Sequence, residues 1–188
     1  MINNVKTLRN KQITNYARII VYAAPPGCCK TTQAIDVANN NLKHKILFVS
    51  LEMSPIELSK RIINNNVDIS DKMVWDEKVL CKYNTIIIDY IQLLSKEKIF
   101  GLLNLAKELR NKHGINVIIL SQLNRAGISY RHLKNSSYIE EVADIVYIMK
   151  RDGDDIIFKI EKDRYNKITD KWYYMYKMEN GKLKNYSL

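Results

Sequence analysis

The sequence predicts an α/β fold in which a mainly parallel sheet is flanked by helices and finished at its C-terminal end by antiparallel strands. Three observations carry that prediction. Short β-branched runs alternate with stretches of helical periodicity over most of the chain, a tight loop joins the first run to the first helical stretch, and the last part is a succession of strands with brief turns.

Taken in order, "RIIVYAA" (18–24) is a buried strand and "KTTQAIDVANNNL" the helix after it. "KILFVSLE" (45–52) is a second strand. The next residues, "SPIE", start a helix, with Ser54 as N-cap, Pro55 at the first helical position and Glu57 completing a capping box; that helix is predicted to reach about Asn64. "YNTIIIDYIQLL" holds a third strand ending near Asp89. Beyond it Ile99, Leu102, Leu103, Ala106 and Leu109 recur at helical spacing, and Gly114 caps the basic end "RNKHG". "INVIILSQL" is a fourth strand. "ADIVYIMKR", "DIIFKIEKD" and "KWYYMYKM" are the closing strands, followed by an Asn180-Gly181 hairpin signal.

The 188 residues match the length of one domain. No apolar run approaches the ~18 residues that span a bilayer, and the N-terminus lacks the apolar core of a signal peptide, so a cytoplasmic protein with no membrane role is expected. Cys28, Cys29 and Cys81 show no metal-ligand spacing and are expected as reduced thiols. The formal charge of +10 favours a polyanionic partner, although lysine is abundant everywhere and such a bias needs no binding role.

The chemistry begins at "APPGCCKTT". It departs from the phosphate-loop pattern GxxxxGK[ST] at both glycines, with Ala24 at the first and Cys29 at the second. Such a loop aims backbone N–H groups at phosphates just before a helix N-terminus, whose partial positive charge adds to the attraction. Pro26, Gly27, Cys28, Cys29, Lys30, Thr31 and Thr32 are the expected nucleotide-binding residues, with Lys30 on the β and γ phosphates of ATP and Thr31 on Mg²⁺. Asp89 ends its strand at the carboxyl edge, where open α/β sheets bind ligands, and is the second expected Mg²⁺ residue. Alone it is as readily a turn residue; beside Lys30 and Thr31 it belongs to a site. Glu52 ends another strand, placed to align or deprotonate the attacking water or, alternatively, to favour the helix after Ser54. Gln122 ends the fourth strand, placed to sense the γ-phosphate or else simply a surface residue. Four strands each bring a polar group to one edge.

A Cβ and a sulfur at position 29 are expected to crowd the phosphates and lower ATP affinity, while the backbone there is expected in the helical region open to any residue. A thiol at a helix N-terminus beside Lys30 is expected to be acidified.

In chain order, "APPGCCKTT", "FVSLEMS", "IIIDYIQLL", "VIILSQLNRA" and "HLKNSSYIEEVADIVYIMKRD" resemble the ATPase-domain motifs of DnaB-type replicative helicases, from about Arg18 to Arg164. "SLEM" and "DYIQL" are the most specific of these. The resemblance implies a P-loop, RecA-like ATPase domain over residues 18–188, with residues 1–17 as a remnant of a linker helix. It implies a motor forming homo-oligomeric, hexameric rings on single-stranded DNA and hydrolysing ATP between subunits, in DNA replication alongside a replisome or loader protein. Under it Glu52 is the catalytic glutamate, Asp89 the Mg²⁺ aspartate and Gln122 the sensor. It also assigns Lys162 and Arg164, in "EKDRYNK", as the pair that reaches a neighbouring subunit's site, a kind of finger worth ~10³ or more in rate.

Against that family pattern a shortened motor is expected, without the helical domain that precedes it in relatives and with brief stretches after "DYIQLL" and "SQLNRA", where relatives carry DNA-tracking loops. The basic residues left for nucleic acid are Lys96, Lys98, Arg125, Arg131 and Lys134, each equally readable as solvated surface. A phage or mobile-element setting is expected. Two other readings stay open: an ATPase-impaired, helicase-like module that binds nucleic acid or a replisome protein, and a RecA-like recombination ATPase.

Overall fold

The computed structural model describes residues 17–123, 136–165, 172–179 and 182–185. The linker-helix expectation for the N-terminus, the turn at 180–181 and the candidate nucleic-acid residues Arg125, Arg131 and Lys134 lie outside the described residues.

The apolar run at 19–24 becomes strand β1 (Ile19–Ala24), buried along its whole length as a central strand must be. Helix α1 (Lys30–Asn40) follows, then β2 (Ile46–Ser50), the short helix α2 (Pro55–Ser59), β3 (Val67–Ser70), a single turn α3 (Glu77–Leu80) and β4 (Thr85–Asp89). A 3₁₀ turn at Ile91–Leu93 leads to the long helix α4 (Lys96–His113), β5 (Asn116–Gln122), α5 (Ser136–Val142) and β6 (Ile145–Asp152). Strands β7 (Asp155–Asp163), β8 (Trp172–Glu179) and β9 (Lys182–Asn185) end the series. Among the described residues these strands form one sheet in the order β3-β2-β4-β5-β1-β6-β7-β8-β9. Pairing is parallel from β3 through β6 and antiparallel from β6 onward, so β6 joins the two halves. This is the predicted architecture, with β3 and β9 added at its two edges.

Strand alternation divides the core between two faces. Val21, Ala23, Val49, Ile88, Val117 and Ile119 cluster with Ile99, Leu102, Leu103, Ala106 and Leu109 of α4, the five residues whose spacing predicted that helix. Ile20, Tyr22, Phe48, Ile87, Ile118 and Leu120 cluster instead with Ala34, Val37 and Ala38 of α1. Each buried Ile or Leu contributes roughly 1.5–3 kcal/mol, so the strand ends project from a well-packed platform. The C-terminal end of α4 follows the prediction, with Gly114 at φ 66° as C-cap, and its start is capped by Ser95, whose Oγ accepts from Lys98 N–H.

Helix α2 departs from expectation. Its capping box forms, Ser54 Oγ accepting from Glu57 N–H and Glu57 Oε2 from Ser54 N–H. It stops at Ser59, however, rather than near Asn64. The reason is competition from α1: Asn39 Nδ2 donates to Arg61 O and Asn39 Oδ1 accepts from Ile63 N–H, while Asn64 Nδ2 donates to Ala38 O at 2.8 Å. Asn39 thus takes the Ile63 N–H that a longer helix would use, and Asn64 ties the following segment to α1.

Candidate active site

The register of the parallel strands sets Ser50 level with Asp89 and Ala24 level with Gln122, so β2, β4, β5 and β1 deliver their carboxyl ends to one edge. Backbone bonds lock these ends: Leu51 N–H donates to Asp89 O at 2.7 Å and Leu123 N–H to Ala24 O at 2.9 Å.

The loop after β1 turns through Gly27, at φ 76°, and enters α1 at Lys30. Lys30 Nζ donates to the carbonyls of Ala24 and Pro25, each at 3.2 Å, folding the ammonium back over the loop. Burial holds its pKa below the ordinary lysine value, against the raising influence of nearby acidic groups that include Asp89 and Glu52. Thr31 Oγ1 donates to Asp89 Oδ2 at 2.6 Å, joining the helix start to the end of β4.

Asp89 is fully buried, and its second oxygen, Oδ1, has no hydrogen-bond partner among the described residues. Burial pushes its pKa up, the Thr31 hydroxyl works against that, and the negative charge of Glu52 pushes it higher again. A buried carboxylate oxygen without a partner, beside a hydroxyl, is a hard-oxygen pair of the kind that suits Mg²⁺. Thr31 and Asp89 therefore fit the ion expected of them. Glu52 lies beyond the end of β2, exposed to solvent and near enough for its charge to act on both Asp89 and Lys30.

Gln122 ends β5 half-buried, and its backbone is held by a residue that sequence reasoning left without a role. Gln92 Oε1 accepts from Gln122 N–H at 2.9 Å, and Gln92 Nε2 donates to Ser121 Oγ at 2.5 Å and to Gln122 O at 3.3 Å. The signal was present in "DYIQLL", where Gln92 is the one polar residue in an apolar turn.

Two expectations about Cys29 are corrected. Its backbone is left-handed, at φ 59° and ψ 28°, and not helical. Replacing glycine here therefore strains the backbone itself, because the chain must reverse sharply between Gly27 and the first turn of α1. Its thiol pKa is raised, not lowered: burial outweighs the opposing positive charges of Arg151, Arg61 and Lys30. Cys28 turns its side chain into the core with Ala24 and Ala34, leaving its peptide N–H as its contribution to the loop. Pro26 and Gly27 form the exposed tip, and Thr32 Oγ1 accepts from Arg61 Nη2 at 3.0 Å. Neither Arg61 nor Arg151 was given a role by the sequence, although Arg151 lies in the stretch "VADIVYIMKRD".

Lys162 and Arg164 are not brought to this edge. Asp163 pairs with Ile145 and Ile145 with Ile20, so the end of β7 lies at the amino ends of the parallel strands, across the sheet from the loop. Arg164 Nη2 donates to Glu141 O at 2.8 Å, and Lys162 Nζ donates to Glu140 O. Burial and then the charge of Arg164 hold the Lys162 pKa below its ordinary value. Lys96 and Lys98 are exposed on the first turn of α4.

No helix among the described residues is long and apolar enough to cross a membrane, and no cluster of three or more potential metal-ligating His, Cys, Asp or Glu occurs among them. Compared with known proteins, the chain matches the family model for the DnaB-like helicase C-terminal domain over residues 14–84 and 75–188. It is 28% identical over 144 residues to a protein of Chlamydia psittaci described as a probable plasmid replicative DNA helicase, an alignment covering 70% of this chain and 31% of that protein. The chain thus spans under a third of the curated relative's length. In structure it is similar to a solved ATPase domain, with a TM-score of 0.72 at 20% identity, over 90% of this chain and 85% of that one. That similarity bears out the RecA-like fold.

Proposed function

Because the chain belongs to the DnaB-like helicase C-terminal domain family, we propose that residues 18–188 act as a single ATPase domain, a motor that couples ATP hydrolysis to movement on single-stranded DNA during replication. The observation that carries this reading is the joining of Lys30, Thr31 and Asp89 at one sheet edge, with the exposed Glu52 in electrostatic reach of two of them.

In this reading the N–H groups of the loop from Pro26 to Thr32 bind the phosphates at the start of α1. Lys30 exchanges the carbonyls of Ala24 and Pro25 for the β and γ phosphates, a trade that its buried cation favours. Mg²⁺ held by Thr31 and Asp89 supplies neutralisation of phosphate charge. Glu52 orients the attacking water and takes its proton, and Gln122, fixed by Gln92, reports the presence of the γ-phosphate to the rest of β5. Lys162 and Arg164 lie at the opposite edge of their own sheet, which suits service in a neighbouring subunit's site within a homo-oligomeric ring. Lys96 and Lys98 contact the DNA backbone, joined by Arg125, Arg131 and Lys134. The setting is cytoplasmic, with a replisome or loader protein as the further partner and a plasmid or phage as the host replicon.

ATP turnover measured with and without single-stranded DNA, beside Lys30→Ala and Glu52→Gln, tests the proposal. DNA-stimulated turnover lost in both variants is the expected result. The left-handed Cys29 favours a second reading, a nucleic-acid-binding module with impaired turnover. No turnover, with DNA binding that falls steeply as salt rises, is the outcome that selects it.

A further inference from the structure

Arg61 stands outside every recognised motif, yet it connects two parts of the site. Its Nη2 donates to Thr32 Oγ1 at 3.0 Å, on the first turn of α1 and next to Thr31. Its Nη1 lies 3.8 Å from Met53 Sδ, the residue directly after Glu52. Among the described residues no carboxylate lies within ion-pair distance of its guanidinium, so the fork is given over to these two neighbours. The main chain at this point is already secured without the side chain. Asn39 binds Arg61 O and Ile63 N–H, and Ile62 N–H donates to Leu58 O at 2.9 Å, with Leu58 fully buried.

The backbone bonds of the Glu52 segment hold it to the sheet rather than to the phosphate loop. Met53 N–H bonds back to Ser50 Oγ at 3.0 Å within its own strand end, and Leu51 N–H bonds to Asp89 O. Neither contact sets the distance between residues 52–53 and α1. The Arg61 fork crosses that gap, reaching Thr32 on one side and Met53 on the other. A planar guanidinium with spread donors can hold two partners at a fixed separation, which a lysine ammonium on a flexible stem cannot.

We propose that Arg61 is a positioning residue for hydrolysis, setting Glu52 relative to the bound phosphates by clamping Met53 to Thr32. The inference rests on the ATPase reading above. Misplacing a catalytic group by about 1 Å costs on the order of 10² in rate. Arg61→Ala therefore lowers kcat about 100-fold, while the affinity for a fluorescent ATP analogue and the thermal midpoint stay close to those of the unaltered chain. Arg61→Lys does not restore kcat.

The test combines Arg61→Ala with Glu52→Gln in single-turnover measurements on the full chain with Mg²⁺ and single-stranded DNA, with protein in excess and times long enough to read the slow residual rate of Glu52→Gln. If Arg61 acts through Glu52, removing Arg61 from the Glu52→Gln background changes nothing further. An equal additional loss in that background overturns the proposal, as does a fall in ATP affinity that accounts for the whole effect, full activity of Arg61→Ala, or rescue by lysine. Absence of turnover in the unaltered chain overturns the ATPase reading and this inference together; turnover in the unaltered chain and in Arg61→Ala alike overturns this inference alone.

Discussion

Arg164 Nη1 lies 3.1 Å from Asp144 Oδ1, the same oxygen that Arg110 Nη1 reaches at 2.6 Å. Asp144 is fully buried, and its other oxygen accepts from Ile19 N–H at 2.8 Å, so one carboxylate fastens the start of β1 to two arginines. The two partners are not equivalent: the Arg110 side chain is 15% exposed and that of Arg164 38%. Arg164→Ala leaves Asp144 paired and bonded, and is expected to cost at most about 1 kcal/mol in urea unfolding. Asp144→Ala leaves buried donors without an acceptor and is expected to cost about 3–5 kcal/mol. In assembled protein on single-stranded DNA, Arg164→Ala is expected to lower turnover by ~10³ while barely moving stability. Similar stability losses for the two variants would show that Arg110 does not hold Asp144 by itself.

Asp89 carries a pH signature. Its folded pKa is raised by burial above the unfolded value, so its contribution to stability is fully present below the unfolded pKa and is lost as pH rises through the folded one. Asp89→Asn removes that loss. Ligand-free Asp89→Asn is expected to gain stability relative to the unaltered chain as pH is raised from 4 to 7, and to show no thermal shift with Mg²⁺ and ATP. A difference between the two proteins that stays constant over that range would show that Asp89 ionises as freely folded as unfolded.

Cys29 separates strain from crowding. A left-handed non-glycine residue costs ~1–2 kcal/mol, and glycine returns part of any relief through the entropy of the unfolded chain. Cys29→Gly is therefore expected to be more stable than Cys29→Ala by roughly 1 kcal/mol, since alanine keeps the Cβ and glycine does not. In ATP titrations Cys29→Gly is expected to bind more tightly than the unaltered chain. Equal affinities would place the whole cost of the cysteine in the backbone.

The catalytic edge was legible because each of its strand-end residues interrupts an apolar strand with a polar group, a local pattern readable without knowing what packs where. Glu52, Asp89 and Gln122 were found in this way, Lys30 and Thr31 through the loop pattern that follows β1, and the parallel order of the strands gathered them. Arg61 was not legible, because its place depends on α2 ending at Ser59, and that ending is imposed by Asn39 and Asn64 acting between segments more than twenty residues apart. Strand β3 escaped notice for a related reason. As an edge strand with no buried residue, it lacks the apolar run that marks its neighbours. The helical backbone expected at Cys29 failed because motif spacing says which residue precedes the helix and not how sharply the loop must turn into it.

Gln92 offers a test of whether the end of β5 must be held for the site to work. Its amide makes three bonds to Ser121 and Gln122, all on the strand that carries the proposed γ-phosphate sensor, and it comes from the turn directly after Asp89. One side chain therefore ties the turn after Asp89 to the strand end at Gln122. Gln92→Ala leaves Gln122 N–H without its acceptor, a loss worth about 1–3 kcal/mol if no water replaces it. Glutamate restores the acceptor but not the amide donor. Turnover is expected to fall about tenfold in Gln92→Ala, an effect of the size that a loosened strand end implies, and to recover in part in Gln92→Glu. Unchanged kcat in Gln92→Ala, with ATP affinity also unchanged, would show that β5 keeps Gln122 in place without help from the turn after β4.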